Sequence, residues 1–290
     1  MTFSAENIAR TKIWKCRDRA LSFAEETMIM GILNVTPDSF SDGGFFYTPE
    51  EAMRRALDLE KDGAHLIDIG AESTRPGSEA ITADQELSRL IPALKIIVEQ
   101  VSMPVSVDTY KSKTAREALR FGASIINDVW GLRKDPNMAE VIAEYGAGAV
   151  VMANYTDPKI FARSEQGIVA DCLRYFEESA NIAMKAGVDP ASLMFDPGIG
   201  FGTDTQESVE LLSAVPAMQQ AGFPILIGHS RKRFIGELMG GIPVEERDAA
   251  TLGVSFYCKH AGVACIRVHN VKDTVAAFAM EELLEEKKRG

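Results

Sequence analysis

The sequence is short of the features that mark several protein classes. Its four cysteines, Cys16, Cys172, Cys258 and Cys265, form no CxxC pair and no metal-finger spacing, so they read as reduced thiols without a disulfide or zinc framework. No apolar run reaches the ~18 residues of a membrane span, and the opening stretch MTFSAENIARTKIWKCRDRA has no signal-peptide core. Together these absences read as a cytoplasmic chain with no membrane partner. Positive charge is also scarce: 31 Lys and Arg against 42 Asp and Glu leave a net charge of −11. Binding nucleic acid regardless of its sequence takes excess cations to displace counterions, so no nucleic-acid partner is expected, although a local anion pocket remains open. No low-complexity segment or Pro/Gly/Ser-rich linker interrupts the chain.

What is present is repetition. Eight short aliphatic or β-branched runs recur: Met28 to Val35, His65 to Gly70, Pro104 to Thr109, Ser124 to Val129, Gly148 to Ala153, Leu193 to Gly198, Pro224 to Ser230 and Ala264 to His269. Amphipathic stretches with apolar residues three and four apart lie between them, such as PEEAMRRALDLEKDGA and KTAREALRFGA. Gly63, Gly122, Gly146, Gly187, Gly222 and Gly262 each stand where a helix would close before the next run. Eight βα units without a linker predict an α/β fold, a single (β/α)8 TIM barrel spanning residues 28–290. Residues 1–27 fall outside the count and are expected to form an N-terminal extension, a short hairpin under the barrel.

In such a barrel the chemistry lies at the C-terminal strand ends. Those ends carry Asn34, Asp68 with Glu72-Ser73-Thr74-Arg75, Asp108, Asn127-Asp128, Met152-Ala153-Asn154, Asp196, His229-Ser230-Arg231-Lys232, and Arg267 with His269. Any one Asp or Asn there could simply cap the next helix. Polar groups at nearly every end of a barrel whose core prefers Val, Ile and Leu need another reason. Asp108, Asn127, Asp196 and Lys232 combine acceptors, an amide and a cation, which suits a flat heterocycle with ring N–H groups and a carbonyl. Asn34, Thr74, Arg75, Arg267 and His269 combine donors with cations, which suits a phosphate or diphosphate. SRKRFIGEL adds a helix start after the seventh run, another anion-friendly place.

The stretches GILNVTPDSFSDGG, IDIGAESTRPG, DTYK, INDVWG, DPGIGFG, SRKRFIG and IRVHNV run from the first strand to the last. Together they closely resemble the dihydropteroate synthases. The resemblance implies a transferase of folate biosynthesis that joins hydroxymethyl-dihydropterin diphosphate to 4-aminobenzoate and releases diphosphate. It implies magnesium, a homodimer and a sulfonamide target. Carried over to this chain, it places pterin contacts at Asp108, Asn127, Met152, Asp196, Phe201, Gly228 and Lys232. The diphosphate would meet Asn34, Thr74, Arg75, Arg267 and His269, with Asn34 also on the metal. The aminobenzoate would meet Thr74, Arg75, Pro76, Phe201 and Arg233. Asp108, Lys232, Arg267 and His269 would carry catalysis, and Pro37 to Gly44 would form a lid.

Three positions depart from that family's pattern: Ala153 stands where a histidine is usual, Thr203 where a lysine often follows GFG, and Arg233 where a serine often follows SRK. Two other readings compete. A pterin-dependent methyltransferase of the same barrel type would have no use for the SRK and RVH residues, and a non-catalytic pterin-binding paralogue would not need Asn34, Asp108, Lys232 and His269 intact.

Overall fold

Runs of six to eight mainly aliphatic residues are too short for buried helices and too apolar for a surface, so they gain most by pairing side by side and being covered by helices on the outside. The computed structural model describes residues 12–36, 48–73 and 78–289. An antiparallel hairpin, β1 (Ile13–Cys16) and β2 (Arg19–Ser22), comes first. Eight parallel strands follow: β3 (Met28–Asn34), β4 (Leu66–Gly70), β5 (Val105–Asp108), β6 (Ile125–Asp128), β7 (Gly148–Met152), β8 (Leu193–Asp196), β9 (Leu226–Ile227) and β10 (Cys265–Val268). Their order is β8-β7-β6-β5-β4-β3-β10-β9, and a parallel bridge between Phe195 and Ile225 joins the two ends into a closed barrel.

The helices on the outside are α1 (Pro49–Lys61), α2 (Ala83–Gln100), α3 (Ser112–Arg120), α4 (Met138–Tyr145), α5 (Ile168–Lys185), α6 (Thr205–Ser213), α7 (Val215–Gln220), α8 (Arg233–Leu238), α9 (Asp248–His260) and α10 (Val271–Arg289). Three of them begin with reciprocal capping, Thr48 with Glu51, Thr82 with Gln85 and Asp204 with Glu207, so the first-turn N–H groups have partners. The six glycines expected to close helices all take positive φ. Among the described residues no helix is long and apolar enough to cross a membrane.

Period-two alternation along each strand sorts its residues into two layers. Outward residues such as Ile29, Leu33, Ile67, Ile69, Val107, Val151 and Ile266 join the helices in the larger core. Inward residues near the strand starts, Met28, Met30, Leu66, Ile125, Val150, Met194, Leu226 and Cys265, form an apolar floor. The hairpin closes that floor from below. Trp14 and Cys16 belong to the same cluster, and the wholly buried Trp14 ring donates its Nε1–H to Ser192 O at 2.8 Å. Truncating a buried ring of this size typically costs about 3–5 kcal/mol.

The seventh run is the one that departs most from expectation. Only Leu226–Ile227 pairs as a strand, because the chain turns at once: Lys232 N–H returns to His229 O at 3.1 Å, and Arg231 takes a left-handed φ of 58°. Thr251 Oγ1 accepts the Arg231 N–H at 3.1 Å, which fixes this turn to α9.

Candidate active site

Above the apolar floor the same inward rows become polar. Register sets Asp68 beside Ser106, Gly70 beside Asp108, Asp108 beside Asn127, and Met152 beside Asp196. Neighbouring inward side chains therefore meet at hydrogen-bonding distance near the strand ends. Arg267 from β10 reaches across them: its Nε donates to Asp68 Oδ2 at 2.7 Å and its Nη2 lies 3.4 Å from Asp108 Oδ2. Burial, followed by the Asp68 charge, pushes the Asp108 carboxyl up to about 8, and Arg267 opposes that rise.

A second group gathers around Asp196. Its Oδ1 accepts the Gly198 N–H at 2.8 Å, and a Cβ at Gly228 would stand 3.4 Å from its Oδ2, so the glycine leaves that oxygen accessible. Burial raises the Asp196 carboxyl, with Lys232 opposing. Burial likewise pulls Lys232 down to about 8 against the attraction of Asp196. The Lys232 ammonium donates to Ile199 O and lies 4.7 Å from the centre of the Phe201 ring. Met152 is buried at the end of β7 beside Asp196. Two acceptors, a cation and an aromatic face thus line one flank, the set a flat heterocycle with ring N–H groups can use.

On the other flank hard oxygen atoms converge. A Cβ at Gly70 would stand 3.3 Å from Asn34 Oδ1 and 3.9 Å from Asp108 Oδ2, so glycine keeps a cradle open between an amide oxygen and a carboxylate. These donors fit magnesium, which takes few protein ligands and fills its octahedron with water and phosphate oxygens. His269 lies close by in sequence to Arg267, and Ser230 Oγ is 2.9 Å from its Nδ1.

Residues 30–269 match the family model described as pterin binding enzyme. Dihydropteroate synthase of Bacillus subtilis (strain 168) is 41% identical over 277 residues, covering 96% of this chain and 95% of that protein. The chain belongs to the dihydropteroate synthase family. Among solved structures, Xanthomonas albilineans dihydropteroate synthase with 4-aminobenzoic acid superposes with a TM-score of 0.87 at 39% identity, covering 94% of this chain and 98% of that one. The same organism's dihydropteroate synthase in complex with 7,8-dihydropteroate gives 0.83 at 37% identity, with coverage of 94% and 98%.

Two of the three positions that depart from the dihydropteroate synthase pattern are buried. Thr203 is buried, and its Oγ1 accepts the Gly200 N–H at 2.8 Å and contacts Ser208 Oγ at 3.1 Å. It closes the DPGIGFG turn instead of projecting outward. Ala153 is wholly buried and donates its N–H to Asp196 O at 2.9 Å. Here the β7 and β8 loops pack backbone on backbone: a Cβ at Gly198 would fall 1.8 Å from Ala153 O, and one at Gly202 would fall 2.6 Å from the Tyr155 carbonyl carbon. Both glycines also have positive φ, so this stretch of DPGIGFG admits no side chain at either position.

The structure therefore brings together Asn34, Asp108, Asn127, Met152, Asp196, Phe201, Gly228, Lys232 and Arg267, with His269 at the end of the same β10 row. Arg233 stands apart, at the start of α8 with its side chain 68% exposed and 3.4 Å from Glu237 Oε1. Thr74, Arg75, Pro76 and the stretch Pro37 to Gly44 lie outside the described residues. Other polar strand-end groups serve the scaffold. Asp128 accepts the N–H groups of Trp130 and Leu132 at 2.8 and 2.9 Å, and Lys111 pairs with Glu72 and, at 3.2 Å, with Glu86. Ser106 was missed by sequence reasoning, although its inward phase two residues before Asp108 marks it.

Proposed function

We propose that this chain is a transferase that joins hydroxymethyl-dihydropterin diphosphate to 4-aminobenzoate, forming dihydropteroate and diphosphate in folate biosynthesis. The observation that carries the reading is the division of one strand-end funnel into two flanks, an acceptor-rich flank at Asp196, Asn127 and Lys232 and an oxygen-and-cation flank at Asn34, Arg267 and His269. Asp196 and Asn127 would accept ring N–H groups, and Lys232 would exchange its bond to Ile199 O for the pterin carbonyl. Phe201 and Met152 would form the walls, with Gly228 leaving room for the ring.

In the reaction the bond between the pterin methylene and the diphosphate oxygen breaks, and the electron pair leaves with the diphosphate. Positive charge develops on the methylene, and an ionised Asp108 stabilises it more than it stabilises the neutral ground state. Arg267 and His269 offset charge on the departing group. Arg267 also favours the ionised form of Asp108, which burial opposes. The amine of 4-aminobenzoate then forms the new C–N bond and gives up one proton. Magnesium, held by Asn34 with Asp108 near it, would neutralise diphosphate charge when bound. Thr74, Arg75, Pro76, Phe201 and Arg233 are assigned to the aminobenzoate, Thr74 and Arg75 also to the diphosphate, and Pro37 to Gly44 to excluding water.

The test is a coupled assay with both substrates and magnesium, following dihydropteroate and diphosphate together. Equal amounts of the two products are expected, and no dihydropteroate from folded protein would sink the reading. We also infer a homodimer. Exposed apolar side chains on the last helices, among them Tyr257, Met280, Leu283 and Leu284, support it, and sedimentation velocity would check it.

A further inference from the structure

Asp68 is wholly buried, yet it touches three side chains of the funnel. Its Oδ1 accepts from Ser106 Oγ at 2.6 Å, and its Oδ2 accepts from Asn127 Nδ2 at 2.9 Å and from Arg267 Nε at 2.7 Å. An ionised carboxylate only accepts, so it dictates which end of each neighbour faces it. Asn127 must turn its NH₂ toward Asp68, and its amide oxygen is thereby turned the other way. Among the described residues no hydrogen bond engages that oxygen. Arg267 is held along its Nε edge, which leaves its Nη2 as the atom facing Asp108 at 3.4 Å. Without Asp68 the amide could turn over, and the guanidinium could swing into a two-pronged pair with Asp108.

We propose that Asp68 is a positioning residue that sets the hydrogen-bond polarity of the pterin site, making Asn127 an acceptor toward the ligand and keeping Arg267 from closing on Asp108. The inference rests on the pterin reading above. With Asp68 in place, Asn127 and Asp196 both offer acceptors, so the site favours a heterocycle that presents N–H groups to both. A donor at Asn127 would meet the same N–H groups with repulsion. Asp68 thus acts on affinity for the pterin through Asn127, without touching the pterin itself.

The experiment measures hydroxymethyl-dihydropterin diphosphate binding by calorimetry, with thermal midpoints taken in parallel. Asp68→Ala should weaken binding roughly tenfold or more, the size expected when a buried hydrogen-bond arrangement is lost. Asp68→Asn should recover most of that loss, because its amide oxygen can still accept from Asn127 and Arg267 while its NH₂ turns to the Ser106 hydroxyl. In an Asn127→Ala background, Asp68→Ala should cost little more, since the two act as one unit. Wild-type affinity in a folded Asp68→Ala variant would overturn the proposal, as would losses that simply multiply in the double variant. If Asp68→Ala does not fold, Ser106→Ala decides: weaker pterin binding at an unchanged midpoint supports the proposal, and unchanged binding overturns it. A wild-type chain that binds no pterin diphosphate would instead overturn the pterin reading.

Discussion

The hydroxyl of Ser230 lies 2.9 Å from His269 Nδ1 and accepts the His269 backbone N–H at 3.2 Å. With the backbone N–H accepted on one lone pair, the hydroxyl can donate its own proton to Nδ1 in the tautomer whose Nδ1 carries none. That leaves Nε2 carrying the ring proton, the form that can donate to a departing diphosphate. Ser230→Ala removes this constraint on the tautomer. Turnover should fall by about five- to tenfold, corresponding to one hydrogen bond of about 1 kcal/mol. Steady-state kinetics would show it as a loss in kcat with little change in the aminobenzoate KM, and an unchanged kcat would count against the assignment.

Asn34 ends a buried strand but is itself only partly buried, so its amide is not needed by the core. Asn34→Ala should lower turnover by roughly tenfold or more through lost metal and leaving-group contacts, and raise the magnesium concentration for half-maximal rate. The thermal midpoint should stay close to that of the unaltered protein. A folded variant with the same rate at every magnesium concentration would rule the role out.

His229 is wholly buried, with Nε2 2.9 Å from Ser255 Oγ, and burial pulls its pKa down from 6.5 to about 4. Between those values the unfolded chain binds a proton that the folded chain refuses. The stability it contributes is therefore complete above about pH 6.5 and is lost as the pH falls toward 4. The shift corresponds to about 3 kcal/mol as an order of magnitude. Asp108 and Asp128, raised by burial, tilt the curve the other way, so the comparison must be made between variants. Urea unfolding at pH 7.5 and pH 5 should show a smaller acid loss for His229→Gln than for the unaltered chain; equal losses would refute it.

Arg233 now pairs with Glu237 Oε1 at 3.4 Å, and Glu237 also accepts from Thr205 Oγ1. An exposed pair of this kind contributes little stability, so the guanidinium can exchange Glu237 for a substrate carboxylate at small cost. A planar carboxylate suits its two-pronged geometry better than a sulfonamide does. Arg233→Ser should raise the KM for 4-aminobenzoate several-fold, leave pterin diphosphate affinity unchanged, and narrow the preference for aminobenzoate over sulfonamides. An unchanged aminobenzoate KM would return Arg233 to a purely surface role.

Much of the site was legible because a barrel strand has a period of two and its chemistry lies at one end. Those two regularities are local, and they place Asn34, Asp108, Asn127, Asp196 and Arg267 at inward strand ends from the residue order alone. Helix-closing glycines are equally local, so the eight βα units could be read without coordinates. Which polar group meets which could not. Asp68 binds residues 38, 59 and 199 positions away, the last only because the barrel closes and sets β10 beside β3. Thr203 stood out only as a departure after GFG until the turn folded it back on Gly200, and Asp128 was one more polar strand-end group until its loop supplied two N–H donors. Sequence determined the side of each strand a residue takes, since that follows from backbone geometry. Tertiary structure decided the partners, since lateral neighbours depend on closure and register, which no spacing along the chain records.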